Sequence, residues 1–225
     1  NMEGSPSTKV EFEFISAEAT PIKAWCEIRS ARNAGISVKG VAPSGTGTLF
    51  RGIGSFFSAY IPGISGIPNH EQKQSKRVVL KACSFGDSNV YLRNTLNLLK
   101  PNELKKIELW LTPLIGAISL NVSHNNDRDL VINARAKLGN KEFPLELLGT
   151  GYLQLIQIFC YILLFKPKIL LIDEPDIHLH PNVQEKLSST LFKIAQEIGI
   201  KSFLSTHSPF IVRGAPLGTN IFWME

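Results

Sequence analysis

The chain is poor in cysteine, in long apolar runs and in charge of one sign, and each shortage excludes something. Three cysteines, Cys26, Cys83 and Cys160, occur in 225 residues. None belongs to a C-x-x-C pair and the number is odd, so neither a disulfide framework nor a zinc site is indicated, and a reducing, cytoplasmic compartment is expected. The most apolar run, Leu153 to Phe165, is interrupted by Gln157 and stops at Lys166-Pro167. It is too short to cross a bilayer and reads as a buried helix, so a membrane is not an expected partner. No signal peptide opens the sequence. The formal net charge of +5 comes from scattered lysines and arginines. It permits contact with nucleic acid without arguing for it; a solvated, mildly basic surface is the plainer reading. With 44% apolar and 19% charged residues, the composition is that of a soluble globular protein. The length suits one domain, or one domain with an insertion.

What is present falls into three stretches. Lys9 to Phe14 and Ile22 to Ile28 alternate polar and apolar residues and predict an antiparallel pair, in a β segment over 1–34. Eight glycines between Gly35 and Gly66, set among Phe50, Phe56, Phe57 and Tyr60, predict a long loop. The loop aromatics could stack on nucleic-acid bases or pack locally, and packing is the safer expectation. Ser75 to Lys100 reads as helical, divided near Gly86, and Asn102 to Leu111 as a further helix; with the loop these form an insertion over 35–115. Over 116–225 the pattern gives a strand pair, Ile118 to Val122 and Leu130 to Ala134. Then follow helix (Tyr152 to Phe165), strand (Ile169 to Ile172), helix (Pro181 to Ile198) and strand (Ser202 to Leu204). The fold class is α/β, with a mostly parallel sheet flanked by helices, an antiparallel β portion and a helical and loop insertion.

The chemistry lies in the last third. Ile169 to Ile172 are four apolar residues suited to a central parallel strand covered on both faces. They end in Asp173-Glu174-Pro175-Asp176, at the strand end where α/β folds place ligands. Grouped acids are costly to bury unless a cation compensates, and a magnesium ion carried in with a nucleotide does so. Asp173 then holds the metal shell and Glu174 orients or deprotonates an attacking water. The alternative is a cluster of acids that caps the next helix. A second strand ends in Ser205-Thr206-His207-Ser208, so His207 would share an edge with Glu174, able to hydrogen-bond a phosphate or the water. Leu148 is followed by Gly149-Thr150-Gly151 and at once by an apolar helix. Glycines there let backbone N–H groups approach an anion, though a plain helix cap would look the same.

Gly149-Thr150-Gly151, then KPKILLIDEPDIHLHP, then SFLSTHSPFIV, resemble in order and spacing the signature, Walker B, D-loop and H-loop segments of ABC-type ATPases. The nearest flavour is the OLD-like group, related to the SMC ATPases; Tyr60 to Gly66 and Gly86 to Asn94 also look like its middle region. The resemblance implies an ABC-ATPase-type sheet and an ATPase that uses ATP and Mg2+. It makes Asp173 the magnesium-shell acid, Glu174 the catalytic base and His207 the switch histidine. Asp176, His178 and His180 would lie on a D-loop at a dimer interface. Gly149, Thr150 and Gly151 would reach the γ-phosphate held by a partner subunit. Gly149 stands where serine is usual in that signature.

A phosphate-binding loop, G-x-x-x-x-G-K-[ST], does not occur. Gly40 to Gly47 has the glycine spacing but no lysine, and is expected to be a loop without phosphate chemistry. These residues are therefore expected to form part of a longer ATPase, or to meet a partner that supplies the loop. Residues after His207 leave no room for the Toprim nuclease domain of the OLD-like group, so a nuclease is expected from another segment or a partner. The leading expectation is a homodimer or higher oligomer that closes around nucleotide and gates a nucleic-acid-directed effector such as a nuclease, with phage defence implied by the resemblance. The competing readings are a non-hydrolysing nucleotide-sensing scaffold, a transition-metal enzyme built on Asp173, Asp176, His178, His180 and His207, and a transporter ATPase.

Overall fold

Period-two alternation builds the first sheet. In the computed structural model, which describes residues 7–15, 21–30, 36–41, 58–63, 66–84 and 88–223, β1 (Ser7–Ile15) pairs antiparallel with β2 (Pro21–Ser30), and β3 (Ile36–Val41) with β2. Lys9, Glu11 and Glu13 share the exposed face of β1, with Glu13 opposite Lys23 across the ladder. These strands belong to a compact unit spanning Asn1–Gly54; Ser55–Glu225 form a second. The expected pair is thus a three-stranded sheet. Its third strand, and β4 (Ser58–Ile61), come from the stretch expected to be a long loop. The Gly40 to Gly47 string begins inside β3 and then, like Phe50, Phe56 and Phe57, lies outside the described residues.

The second unit holds two more sheets. β5 (Ile118–Ser123), β6 (Asn133–Leu138) and β7 (Lys141–Pro144) form an antiparallel meander. Its second strand begins three residues later than Leu130, because 126–128 are turn and 130–131 are bend. β4, β8 (Ile169–Asp173) and β9 (Lys201–Ser205) form a parallel sheet in the order β4-β8-β9. Between β4 and β5 run α1 (Lys76–Ser84), a 3-10 turn at Ser88–Tyr91, α2 (Leu92–Asn97) and α3 (Pro101–Ile115). α3 starts at Pro101, where a missing N–H costs nothing, and the Glu103 carboxylate accepts the Lys100 N–H at 2.8 Å.

The core centres on α4 (Thr150–Phe165), apolar on all sides and buried over nearly its whole length. Its ring of Phe159 meets Trp110 of α3 edge-on, with centroids 5.6 Å apart. Cys160 is buried in this helix, and burial pushes its thiol up to about 12; Cys83 is also buried. α5 (Pro181–Ile198) links β8 to β9 and ends at Gly199, whose left-handed φ of 74° suits glycine. α6 (Pro209–Arg213) follows β9. No helix among the described residues is long and apolar enough to cross a membrane.

The parallel sheet is packed on one face. Ala59, Ile61, Leu170 and Ile172 are buried. Tyr60, Leu171 and Phe203 stand in one register row across the three strands and are 46%, 39% and 58% exposed. The sequence predicts β8 covered on both faces; Leu171 is the departure from that expectation.

A second polar cluster ties the insertion together. The buried Glu71 carboxylate accepts the backbone N–H groups of Arg93 (2.8 Å) and Asn94 (2.7 Å) and the Asn94 side-chain amide (2.7 Å). Arg93 donates to the Pro68 carbonyl at 2.7 Å, to the Asn69 carbonyl at 3.3 Å and to Glu146 at 2.7 Å. Burial pushes Glu71 above the ordinary carboxylate range, against the hydrogen bonds from Asn94 and Arg93. Burial also acts upward on Glu146, but its backbone hydrogen bond and Arg93 outweigh it and leave that carboxyl lowered.

Candidate functional site

Parallel pairing decides which residues share the sheet edge. Asp173, the last residue of β8, is the register partner of Ser205, the last residue of β9. The Glu174 N–H donates to the Ser205 carbonyl at 3.1 Å and to its hydroxyl at 3.3 Å, which carries the pairing one residue past the strand. Glu174 adopts a left-handed φ of 42°, a conformation uncommon for residues with a side chain and frequent at functional sites. Its carboxylate lies 3.4 Å from the His207 imidazole Nε2, and the imidazole is 92% exposed. Glu174 and His207 therefore stand on one rim, side by side.

Asp173 is held from both sides. The Ser205 hydroxyl donates to Oδ1, and the Tyr60 hydroxyl donates to Oδ2 at 3.2 Å. Burial, then the charge of Asp173 and its hydrogen bond, push the Tyr60 phenol above its usual value. Asp176 sits in the turn beyond Pro175 and accepts a hydrogen bond from the Thr206 hydroxyl. Four carboxylate and imidazole groups named from the sequence, Asp173, Glu174, Asp176 and His207, thus fall on the ends of two neighbouring strands.

The remaining named residues have separate places. His178 is exposed, with a left-handed φ of 65°. His180 is the N-cap of α5: its Nδ1 accepts the Asn182 N–H at 3.3 Å, and Pro181 opens the helix. Gly149 is the exposed N-cap of α4 and Thr150 its first residue. Gly151 is buried against the 174–180 turn. A Cβ there would lie 2.6 Å from the His178 carbonyl oxygen and 2.9 Å from Leu179 Cδ2, so only glycine lets the helix start approach that backbone. Although His207 stands beside Glu174, among the described residues no group of three or more His, Cys, Asp and Glu side chains is placed to hold a metal ion.

Sequence reasoning missed Tyr60, Gln184 and the hydroxyls of Ser205, Thr206 and Ser208. Tyr60 is hidden by the glycines and prolines around β4, whose four residues are too few for a period to register. The signal for Ser205, Thr206 and Ser208 is their position at the polar end of β9. Gln184 has none; it is one polar residue on an amphipathic helix.

A parallel sheet that gathers acids and an imidazole at its carboxyl edge, beside a glycine-led helix start, is the architecture in which α/β proteins place their ligands. Residues 69–212 match the AAA ATPase domain family, and the chain belongs to it. Its fold is that of ABC- and SMC-type ATPase heads. Over 93% of its length it resembles the SMC head domain from Thermotoga maritima (TM-score 0.53, 14% identity, 67% of that chain). An SMC head solved with the C-winged helix domain of ScpA gives a TM-score of 0.56 at 13% identity, over 93% of this chain and 68% of that one. At such identities the likeness is one of fold. An uncharacterized protein of Methanocaldococcus jannaschii is 27% identical over 125 residues, which are 54% of this chain and 15% of that protein. An energy-coupling factor transporter ATP-binding protein of Clostridium perfringens is 27% identical over 114 residues, 49% of this chain and 40% of that protein. The chain thus spans less than half the length of either relative.

Proposed function

We propose that these residues form the water-activating part of an ATPase site that closes when two copies meet around nucleotide. In this reading Glu174 orients and deprotonates the attacking water, and His207 contacts the γ-phosphate or the water and reports its presence. The observation that carries the reading is the 3.4 Å approach of Glu174 to His207 on one sheet rim. Gly149, Thr150 and Gly151 reach the γ-phosphate held by the partner copy, while Asp176, His178 and His180 lie toward the dimer interface. The strong exposure of the His207 ring leaves room for nucleotide and partner to cover it.

Magnesium fits Asp173. A carboxylate with both oxygens already accepting hydroxyl hydrogens suits an ion shared with nucleotide phosphates and water, since Mg2+ favours few protein ligands. The ion would neutralise charge on the transferred phosphate. The chain's own part is to hold that carboxylate still: Tyr60 and Ser205 clamp it from neighbouring strands.

No G-x-x-x-x-G-K-[ST] string occurs among these 225 residues, so in this reading the phosphate-binding loop is supplied by other residues of a longer protein or by a partner. At a finer level, we place the protein in the OLD-like group, as a cytoplasmic ATPase gating a nucleic-acid-directed effector such as a nuclease in phage defence. That placement rests on the resemblance of the motif segments. The missing loop favours a second reading, a nucleotide-sensing scaffold without turnover. In the complete protein, Glu174→Gln should trap an ATP-bound dimer visible by size-exclusion chromatography with light scattering. Turnover unchanged by that substitution removes Glu174 from the base role and leaves the scaffold.

A further inference from the structure

The turn after β8 and the segment after β9 are joined by a closed ring of hydrogen bonds, and one helix side chain completes it. The Thr206 hydroxyl donates to Asp176. It also accepts the Ser208 N–H at 3.0 Å. The Ser208 hydroxyl donates to Gln184 Oε1, and Gln184 Nε2 donates to the carbonyls of Asp176 (3.1 Å) and Leu179 (2.8 Å). Both N–H donors and the carbonyl oxygen of the Gln184 amide are thereby engaged in a single orientation. The ring encloses both segments that bear the candidate chemistry: Glu174 lies two residues before Asp176, and His207 lies between Thr206 and Ser208.

The same turn touches the start of α4. Gly151 packs against His178 and Leu179, and Leu179 is a residue whose carbonyl Gln184 holds. The Gly149–Gly151 helix start therefore abuts a turn that the ring ties to the His207 segment. Two left-handed residues, Glu174 and His178, lie in that turn, so it has little freedom to shift locally.

We propose that Gln184 is a positioning residue for hydrolysis. It ties the 176–179 turn to the 206–208 segment, so that contact at the Gly149–Gly151 helix start sets the spacing of Glu174 and His207. The inference rests on the ATPase reading above and adds to it the side chain that couples the two halves of the edge. Gln184 does not touch nucleotide in this scheme; it acts through Asp176, Leu179 and Ser208.

The test uses the complete protein and steady-state ATP turnover. Gln184→Glu keeps the length and the acceptor for Ser208 but, when ionised, loses both donors; Gln184→Met keeps the length and loses all three bonds. Misplacement of a reacting group by about 1 Å can cost roughly a hundredfold. We expect kcat to fall about ten- to a hundredfold in both variants, with KM for ATP within about twofold. Thr206→Val cuts the ring at its other side, and the double variant with Gln184→Glu should be no slower than the slower single variant, since parts of one circuit do not add. Additive losses, a raised KM with unchanged kcat, or wild-type kcat in Gln184→Glu would each overturn the inference. Should Gln184→Met fail to fold, the isosteric Gln184→Glu decides alone. A wild-type protein without turnover, or one indifferent to Glu174→Gln, overturns the ATPase reading instead, so the two failures are told apart.

Discussion

Two polar clusters of the second unit are built on opposite plans. Around Glu71 and Arg93, both about as buried as core leucines, the two charges lie 3.9 Å apart, and each is satisfied by short hydrogen bonds with ordinary helix and loop backbone and, for Arg93, with Glu146. At Glu174 and His207 the imidazole is open to solvent and the carboxylate partly so, Glu174 has a left-handed backbone, and among the described residues the one polar contact of either side chain is their own, at 3.4 Å. A buried charge must be satisfied at once by its own chain, because an unpaired one costs several kcal/mol. An edge group can keep lone pairs in reserve for a ligand. The contrast separates residues that hold the fold from residues that wait for chemistry.

Substitutions can break that contrast. The largest effect is expected at the open edge: Glu174→Gln should lower turnover of the complete protein by about a hundred- to ten-thousandfold, as loss of a general base does. Its stability should move by no more than about 0.5 kcal/mol, as at exposed sites generally. Equal losses of stability and turnover, measured by urea denaturation and phosphate release, would erase the distinction. Arg93→Met should do the reverse, costing about 3–5 kcal/mol in urea denaturation by leaving buried acceptors and Glu71 without their cation. Gly151→Ala lies between the two. The added methyl meets the His178 backbone, and overpacking of this kind costs about 1–3 kcal/mol. Thermal denaturation should register that cost, and amide exchange should quicken over residues 176–180.

The smallest expected effect is a pH dependence. Glu146 is held below its ordinary value, so its contribution is present above the unfolded carboxyl value near 4.5 and is lost as pH falls through the lower folded value. Glu146→Gln should be less stable than wild type at pH 7, and the gap should close below about pH 4.5 in urea titrations at stepped pH. Glu71, raised by burial, carries the opposite sign. Its stabilising share is full below the ordinary value and fades as pH rises through the higher folded value, so a gap that widened in acid would mean the two acids exchange roles.

Much of this could be read from the residues in order. α5 has the bounds its pattern predicts, Pro181–Ile198, because proline at its start and glycine after its end punctuate it from within. α4 was legible as a buried helix because it is apolar on every side. β4 was not, since a four-residue strand paired only with β8, far along the chain, owes its existence to that partner. Asp173, Glu174, Gly151 and His207 stand out by type and spacing, whereas Tyr60 and Gln184 matter only through what they touch.

The amino-acid sequence by itself determined the local elements of the last third, the acids at the end of one strand and the histidine at the end of another, because periodicity, caps and strand ends are short-range properties. Only the tertiary structure decided that those ends are neighbours, that Tyr60 and Ser205 clamp Asp173, and that Gln184 closes a ring around the edge. Pairing between β4, β8 and β9 joins residues more than a hundred positions apart in the case of Tyr60 and Asp173. No short-range pattern encodes a contact that exists only once distant strands have paired.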